Sequence, residues 1–309
     1  MLAPTAVHAL DYPTKTITII VSFPAGGAAD QLARRIANHL AERLGNPVIV
    51  ENHAGAGGEI GAGIAARSAA DGHTLLLGSS NMQLEQILRP DQKLDAVRDF
   101  DPVALIAEGP LILVASPSLG VKSVSGLLEL AREKPGRLAY ASFGSGSHSH
   151  LAGEMFKAAT HVDLLHVPYK GGAPALVAVL GGQVAVAFVT ALTAGENVRA
   201  GKVVALAVTG SRRLPSLPDV PTMVEAGVAD CEIELWSAIL APAKTPPAVI
   251  SRLNSEIVAV IQAAEFRRFM AEQGGFIVTS RPEEVSRRIQ ADLAKLSRQV
   301  KAVDLKVDE

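Results

Sequence analysis

TITIIVSFPAGGAADQLARRIANHLAERLG, residues Thr16 to Gly45, decides how the rest of the chain is read. Thr16 to Ser22 is a β-branched run suited to a central strand, and it stops at Phe23-Pro24-Ala25-Gly26-Gly27. From there Leu32, Ile36, Leu40 and Leu44 recur every four residues with Ala33, Ala37 and Ala41 beside them. Arg34, Arg35, Glu42 and Arg43 take the other side, so the spacing predicts an amphipathic helix that Gly45 closes.

Working outward, the same alternation repeats. Pro47 to Glu51 reads as a second strand, and the glycine-rich stretch from Asn52 to Gly63 enters a helix near Gly58. His73 to Leu77 reads as a third strand, closed by Gly78-Ser79-Ser80-Asn81. Strand, helix, strand, helix, strand implies right-handed crossovers and a largely parallel sheet. Ligands of such sheets sit outside the carboxyl ends of the strands, which here are the loops 23–29 and 78–82.

Beyond a polar stretch, strands are expected at Val103 to Ile106 and Leu111 to Ala115, and Ser123 should cap a helix over 124–133. A second cycle follows, with strands over 137–142, 162–166, 184–189 and 203–209 and helices over 149–159 and 175–180. Two such units facing each other would place both small-residue loops on one cleft. Cys231 to Leu240 returns as a strand carrying Trp236, then helices run over 248–261 and from an N-cap at Ser280. The expected division is 10–107 with 225–309 as one lobe and 108–224 as the other.

Composition narrows the functions. The 309 residues are 48% hydrophobic and 19% charged, with 29 basic against 31 acidic side chains, so a nucleic-acid stripe or an extended disordered tail has little support. Aromatic residues are only 4%, which argues against stacking platforms for sugars or single-stranded nucleic acid. The single cysteine, Cys231, excludes an internal disulfide and a multi-thiolate metal site, and is expected to be a buried side chain. No run of eighteen apolar residues occurs. Val7 and Ala9 resemble the end of a secretory signal, although the charged and long apolar regions of one are missing, so residues 1–9 are expected to be a signal-peptide remnant. An ordinary ragged terminus is the alternative.

Several constellations invite chemistry. Gly26 and Gly27 at a helix entry can bring backbone N–H groups close to a carboxylate or phosphate, but Asp30 opposes a multiply charged anion. Asp30 either caps the turn or meets a ligand ammonium. Gly61-Ala62-Gly63-Ile64-Ala65-Ala66 fits GxGxxA, yet it lies too far from its strand for a dinucleotide loop, and helix packing explains it better. Ser145, Ser147, His148 and His150 could suggest a Ser/His hydrolase, but there is no GxSxG elbow, and neutral donation to an anion is the favoured reading. Histidines 148, 150, 161 and 166 lack metal-ligand spacing, and no metal is expected. His166-Val167-Pro168-Tyr169-Lys170-Gly171-Gly172 forms a rigid turn into a helix, from which Tyr169 and Lys170 could reach the cleft or stay at the surface.

Ordered blocks then carry a resemblance. FPAGGAAD (23–30), VENHAGAGGEIGA (50–62), DGHTLLLGS (71–79), YASFGSGSHSHLAGEMF (140–156), HVPYKGGAPA (166–175), GGQV (181–184) and LPDVPT (217–222), preceded by Tyr12-Pro13, resemble the tripartite tricarboxylate transporter receptors, also called the Bug family. The resemblance spans Tyr12 to Lys295. It implies an α/β periplasmic binding protein-like fold of type II, two lobes with a central ligand cleft. It also implies a monomeric, non-enzymatic, cofactor-free periplasmic receptor that closes on a small organic mono- or dicarboxylate and delivers it to integral-membrane permease subunits. A sensory or scavenging carboxylate-binding protein is the alternative. The ligand positions it implies are Phe23, Ala25, Gly26, Gly27, Ala28, Ala29 and Asp30, then Ser79, Ser80 and Asn81. The second lobe would add Ser142, Gly144, Ser145, Gly146, Ser147 and His148, with Tyr169, Lys170, Val189 and Thr190. Ala29 stands where many relatives carry a hydroxyl, and Val189-Thr190 where many carry an acid. The missing acid implies a ligand without an ammonium.

Overall fold

The computed structural model describes residues 11–91 and 94–307, so the expected leader remnant 1–9 lies outside the described residues. The opening segment forms β1 (Ile17–Val21) and α1 (Ala28–Leu44), with Gly45 in the left-handed conformation that a helix terminator needs. β2 (Val48–Asn52), α2 (Glu59–Ala66) and β3 (Thr74–Ser79) complete the first crossovers, with β2 and β3 on either side of β1 and both parallel to it.

α3 (Asn81–Leu88) leads to β4 (Phe100–Ala115), one sixteen-residue strand where two short ones were expected. Pro102 sits at a register shift, and the strand runs on past Gly109-Pro110. The second cycle is α4 (Val124–Glu133), β5 (Leu138–Ser142), α5 (His148–Thr160), β6 (Leu164–Pro168), α6 (Gly172–Leu180), β7 (Val186–Thr190), α7 (Ala191–Arg199) and β8 (Val204–Val208). β9 (Glu234–Pro242), α8 (Pro247–Gln262), α9 (Ala264–Gln273), β10 (Phe276–Ile277) and α10 (Pro282–Ala302) close the chain.

The strands join in the order β2-β1-β3-β9-β4-β7-β5-β6, with β8 and β10 also pairing β4. β4 divides the sheet into halves: residues 100–110 pair with β9, while 111–115 pair with β7 and β8. At the changeover Thr209 accepts the Leu111 N–H through its hydroxyl oxygen at 2.9 Å and donates that hydroxyl to Ile233 O at 2.7 Å. It thus ties the two chain segments that run between the halves.

Strand alternation assigns the core. Ile17, Ile19 and Val21 face Leu32, Ile36 and Leu40 of α1 and Leu253 and Ile257 of α8, whereas Ile20 faces Ala62 and Ala65 of α2. In the second half, Tyr140 and Phe188 pack under Leu151 and Phe156 of α5, and Ala187 and Val189 under Leu176 and Val179 of α6. α10 spans both halves: Val285 and Ile289 join the first-half cluster of Trp236, and Leu296 and Val300 join that of Tyr140 and Phe156. Ser280 does not cap it. Its hydroxyl instead accepts the Leu105 N–H at 3.0 Å, and Glu284 takes the Arg281 N–H.

Candidate functional site

The sheet halves leave a cleft with about 950 Å³ of space, part of it open solvent. Its walls come from loop ends of both cycles, with Phe23, Gly27, Ala28, Ala29, Ser79 and Asn81 on one side and Phe143, Gly172 and Thr190 on the other. The starts of α1, α3, α6 and α7 all line it. The first N–H groups of a helix have no partner within the helix and carry its positive dipole end. Among the described lining residues there is no lysine, arginine or histidine. Glu108 is the one charged residue there, and its carboxylate is tied at 3.1 Å to Arg288 of α10. Glu108 pairs with Trp236 across the sheet and Ala107 with Ser237, so the two pairs face opposite ways.

The first loop is held from behind. Asp30, 4% exposed, accepts the Gly26 N–H at 2.9 Å and pairs with Arg34 at 3.0 Å, so it does not line the cleft. Arg34 also donates to Asn52, which donates to Phe23 O. Burial raises the Asp30 pKa, but Arg34, the Gly26 N–H and Asn52 outweigh it and hold the carboxyl below its usual range. Of the two readings of Asp30, the turn cap is the arrangement present. Gly26 has φ +83°, while a side chain at Gly27 would begin in ordinary contact, 3.6 Å from Pro24 O. The requirement for glycine on conformational grounds therefore belongs to Gly26. Gly61 meets Ser22 and His53 O so closely that a Cβ has no room, which gives the GxGxxA stretch its packing role.

The second-half loop is also self-contained. Ser147 caps α5 by accepting the His150 N–H at 3.2 Å and donates to Gly144 O at 2.7 Å. Ser142 is fully buried, bonded to Gly144 and 2.6 Å from His166 Nε2. Burial, followed by the nearby His150, pushes the His166 pKa down to about 4. His148 is turned to Asn81, with its N–H 3.2 Å from Asn81 Oδ1.

Thus Phe23, Gly27, Ala28, Ala29, Ser79, Asn81 and Thr190 come together on the cleft. Ala25, Gly26, Asp30, Ser80, Ser142, Gly144, Ser145, Gly146, Ser147, His148, Tyr169, Lys170 and Val189 do not line it. Val189 is buried in the sheet. Sequence reasoning missed the Ala107 to Pro110 and Leu235 to Ser237 walls, Thr193, and Gly274 with Gly275. Phe143 is the residue by which the small-residue loop 142–148 reaches the cleft. The β4 and β9 walls depend on long-range pairing that leaves no local signal.

A mixed α/β fold whose cleft is lined by helix starts and holds no cationic side chain among its described lining is shared with solved periplasmic solute-binding proteins. Residues 32–305 match the family described as tripartite tricarboxylate transporter family receptor, and the chain belongs to that family. BugT of Bordetella pertussis is 39% identical over 280 residues, 90% of this chain and 86% of BugT. A protein from the tcbD-tcbE intergenic region of Pseudomonas sp. strain P51 is 38% identical over 285 residues, 92% of this chain and 83% of that one. Among solved structures, R. palustris Rpa4515 with adipate superposes with a TM-score of 0.93 at 33% identity, covering 96% of this chain and 99% of that chain. The periplasmic binding protein BugD gives 0.91 at 31%, covering 96% and 99%. MatC from Rhodopseudomonas palustris with bound malate gives 0.88 at 31%, covering 94% and 100%.

Proposed function

We propose that this protein captures a small organic mono- or dicarboxylate in the cleft between two lobes, divided near residues 107 and 224, closes on it by a hinge motion, and hands it to a membrane permease. The receptor acts in the periplasm as a monomer, without cofactor or covalent step. The observation that carries this reading is the convergence of four helix starts on one cleft whose described lining has no cationic side chain. Such a wall can hold a carboxylate through N–H groups, hydroxyls and bridging water. Adipate and malate in the related Rpa4515 and MatC support the ligand class. The largely apolar remainder, with Leu32, Phe143, Pro174, Leu192 and Leu235, suits a carbon skeleton.

A calorimetric panel of adipate, malate, benzoate and aspartate tests this, on the wild type and on Gly27→Val. Gly27 lines the cleft as the N-cap of α1, and a side chain there would begin 3.6 Å from Pro24 O, so binding should be lost with at most a modest drop in melting temperature. Equal affinity in both proteins, or no binding of any carboxylate, would reject the site or the class. Retention of binding activity with cell-envelope fractions containing the permease, against its absence without them, tests the transport step.

A further inference from the structure

α3 presents two polar groups to the junction between the sheet halves. Asn81 donates from Nδ2 to Gly57 O at 3.0 Å in its own half. Its Oδ1 accepts the His148 N–H from the other half and lies 3.4 Å from His148 Nδ1. One turn on, Glu85 is 5% exposed, and its Oε1 is buried with no hydrogen-bond partner. A Cβ at Gly57 would collide with that carboxylate, and one at Gly146 would lie 3.1 Å from Oε1, so the side chain stands between a turn of the first half and a loop of the second. His148 is 1% exposed, and its Nε2 is likewise buried without a partner.

The surroundings are defined. Arg89, at the C-terminal cap of α3, lies 3.4 Å from Glu85 Oε2, and Glu59 at the start of α2 adds a like charge. Residues 144–147 of the facing loop carry no ionisable side chain, and α5 contributes His148 and His150, the latter accepting the Gly146 N–H and stacked on His166. α10 brings Leu296 and Val300 to the cluster that contains Leu84 of α3. Burial pushes the Glu85 carboxyl up to about 7, with Glu59 adding and Arg89 opposing, and burial pushes His148 down to about 4.

We propose that Glu85 and His148 form a compensated proton latch: bringing the halves together places a proton on the Glu85 carboxylate and removes one from the His148 imidazole. This rests on the hinge-closing reading above. Separation of the halves admits water to both groups, which then ionise as ordinary side chains. Across the shared pH range the proton gained by Glu85 and the proton lost by His148 cancel, so closing depends little on pH. Either group alone would make the closed-to-open ratio change by up to about tenfold per pH unit, in opposite directions.

Spin labels on Ile49→Cys and Leu165→Cys, exposed positions on the edge strands of the two halves, report their separation, and Cys231 is buried. The ligand-free distance distribution is compared at pH 5 and pH 8, with adipate and malate as separate arms. In Glu85→Gln the closed-to-open ratio should rise about tenfold or more from pH 5 to pH 8, and in His148→Asn it should fall by a similar factor, while the wild type changes only a few-fold. If one variant does not fold, the direction of change in the other decides. Equal or absent pH responses in the variants overturn the latch. Narrowing by adipate or malate without those responses leaves the receptor reading standing, and no response to pH, adipate or malate overturns both.

Discussion

Asp30 and Arg34 lock together one helical turn apart, 3.0 Å between Oδ1 and Nε, and the same carboxylate holds the Gly26 N–H. The pair fixes the cleft loop without lining the cleft. Asp30→Ala should therefore lower stability by about 1.5 to 3 kcal/mol, the range for hydrogen bonds to a charged group. Urea unfolding measures this, and carboxylate affinity should fall with it because the Phe23 to Gly27 loop loosens. Unchanged stability would show that the pair does not hold the loop.

Thr209 offers a second test. Its hydroxyl serves Leu111 and Ile233 at once, on the two segments running between the halves. Thr209→Val keeps the shape but removes both bonds, and should cost about 1 to 3 kcal/mol by leaving buried backbone groups unpaired. Denaturant titration of the isosteric variant gives the value, and a loss below a few tenths of a kcal/mol would count against the staple.

Gly153 sits where a methyl group would run into the ring of Tyr140, which is itself fully buried and donates to Glu154 at 2.7 Å. Gly153→Ala should destabilise by about 1 to 3 kcal/mol despite the better helix propensity of alanine. A melting temperature at or above the wild type would mean the ring yields freely.

His166 predicts a pH dependence. Burial and then His150 depress its folded pKa to about 4, so it favours the folded state fully above its unfolded value near 6.5 and loses that contribution as pH falls toward 4. His166→Gln cannot titrate there. The wild-type advantage in melting temperature should consequently shrink from pH 7 to pH 4.5, and a constant difference across that range would contradict the depressed imidazole.

The first crossover was legible because its hydrophobic period changes from strand to helix within Thr16 to Gly45, and the packing of Gly61 followed from its spacing. α3, α7 and α9 were not anticipated. α9 buries only Phe266 and Met270, and α7 only Ala191, Ala194 and Gly195, too little for a periodic stripe. At the cleft, glycine and hydroxyl residues marked loops whose ends reach it but could not say which groups face inward. Ser142, Ser147 and Asp30 have hydrogen-bonding groups that could meet a ligand and spend them on their own turns. The contribution of Trp236, Ser237 and Ala107 arises from the pairing of β9 with β4, more than a hundred residues apart.

That pairing also sets an order of assembly during synthesis. β9 lies between β3 and β4, so neither strand can acquire this neighbour until the ribosome has passed Pro242. From the completion of β4 until β9 is made, the nascent chain carries two unpaired, largely apolar strand edges, Leu75 to Leu77 and Val103 to Ala107, open to pairing with other chains. A binder that holds the nascent polypeptide extended until β9 is made would protect it from aggregation at the stage when the finished fold cannot.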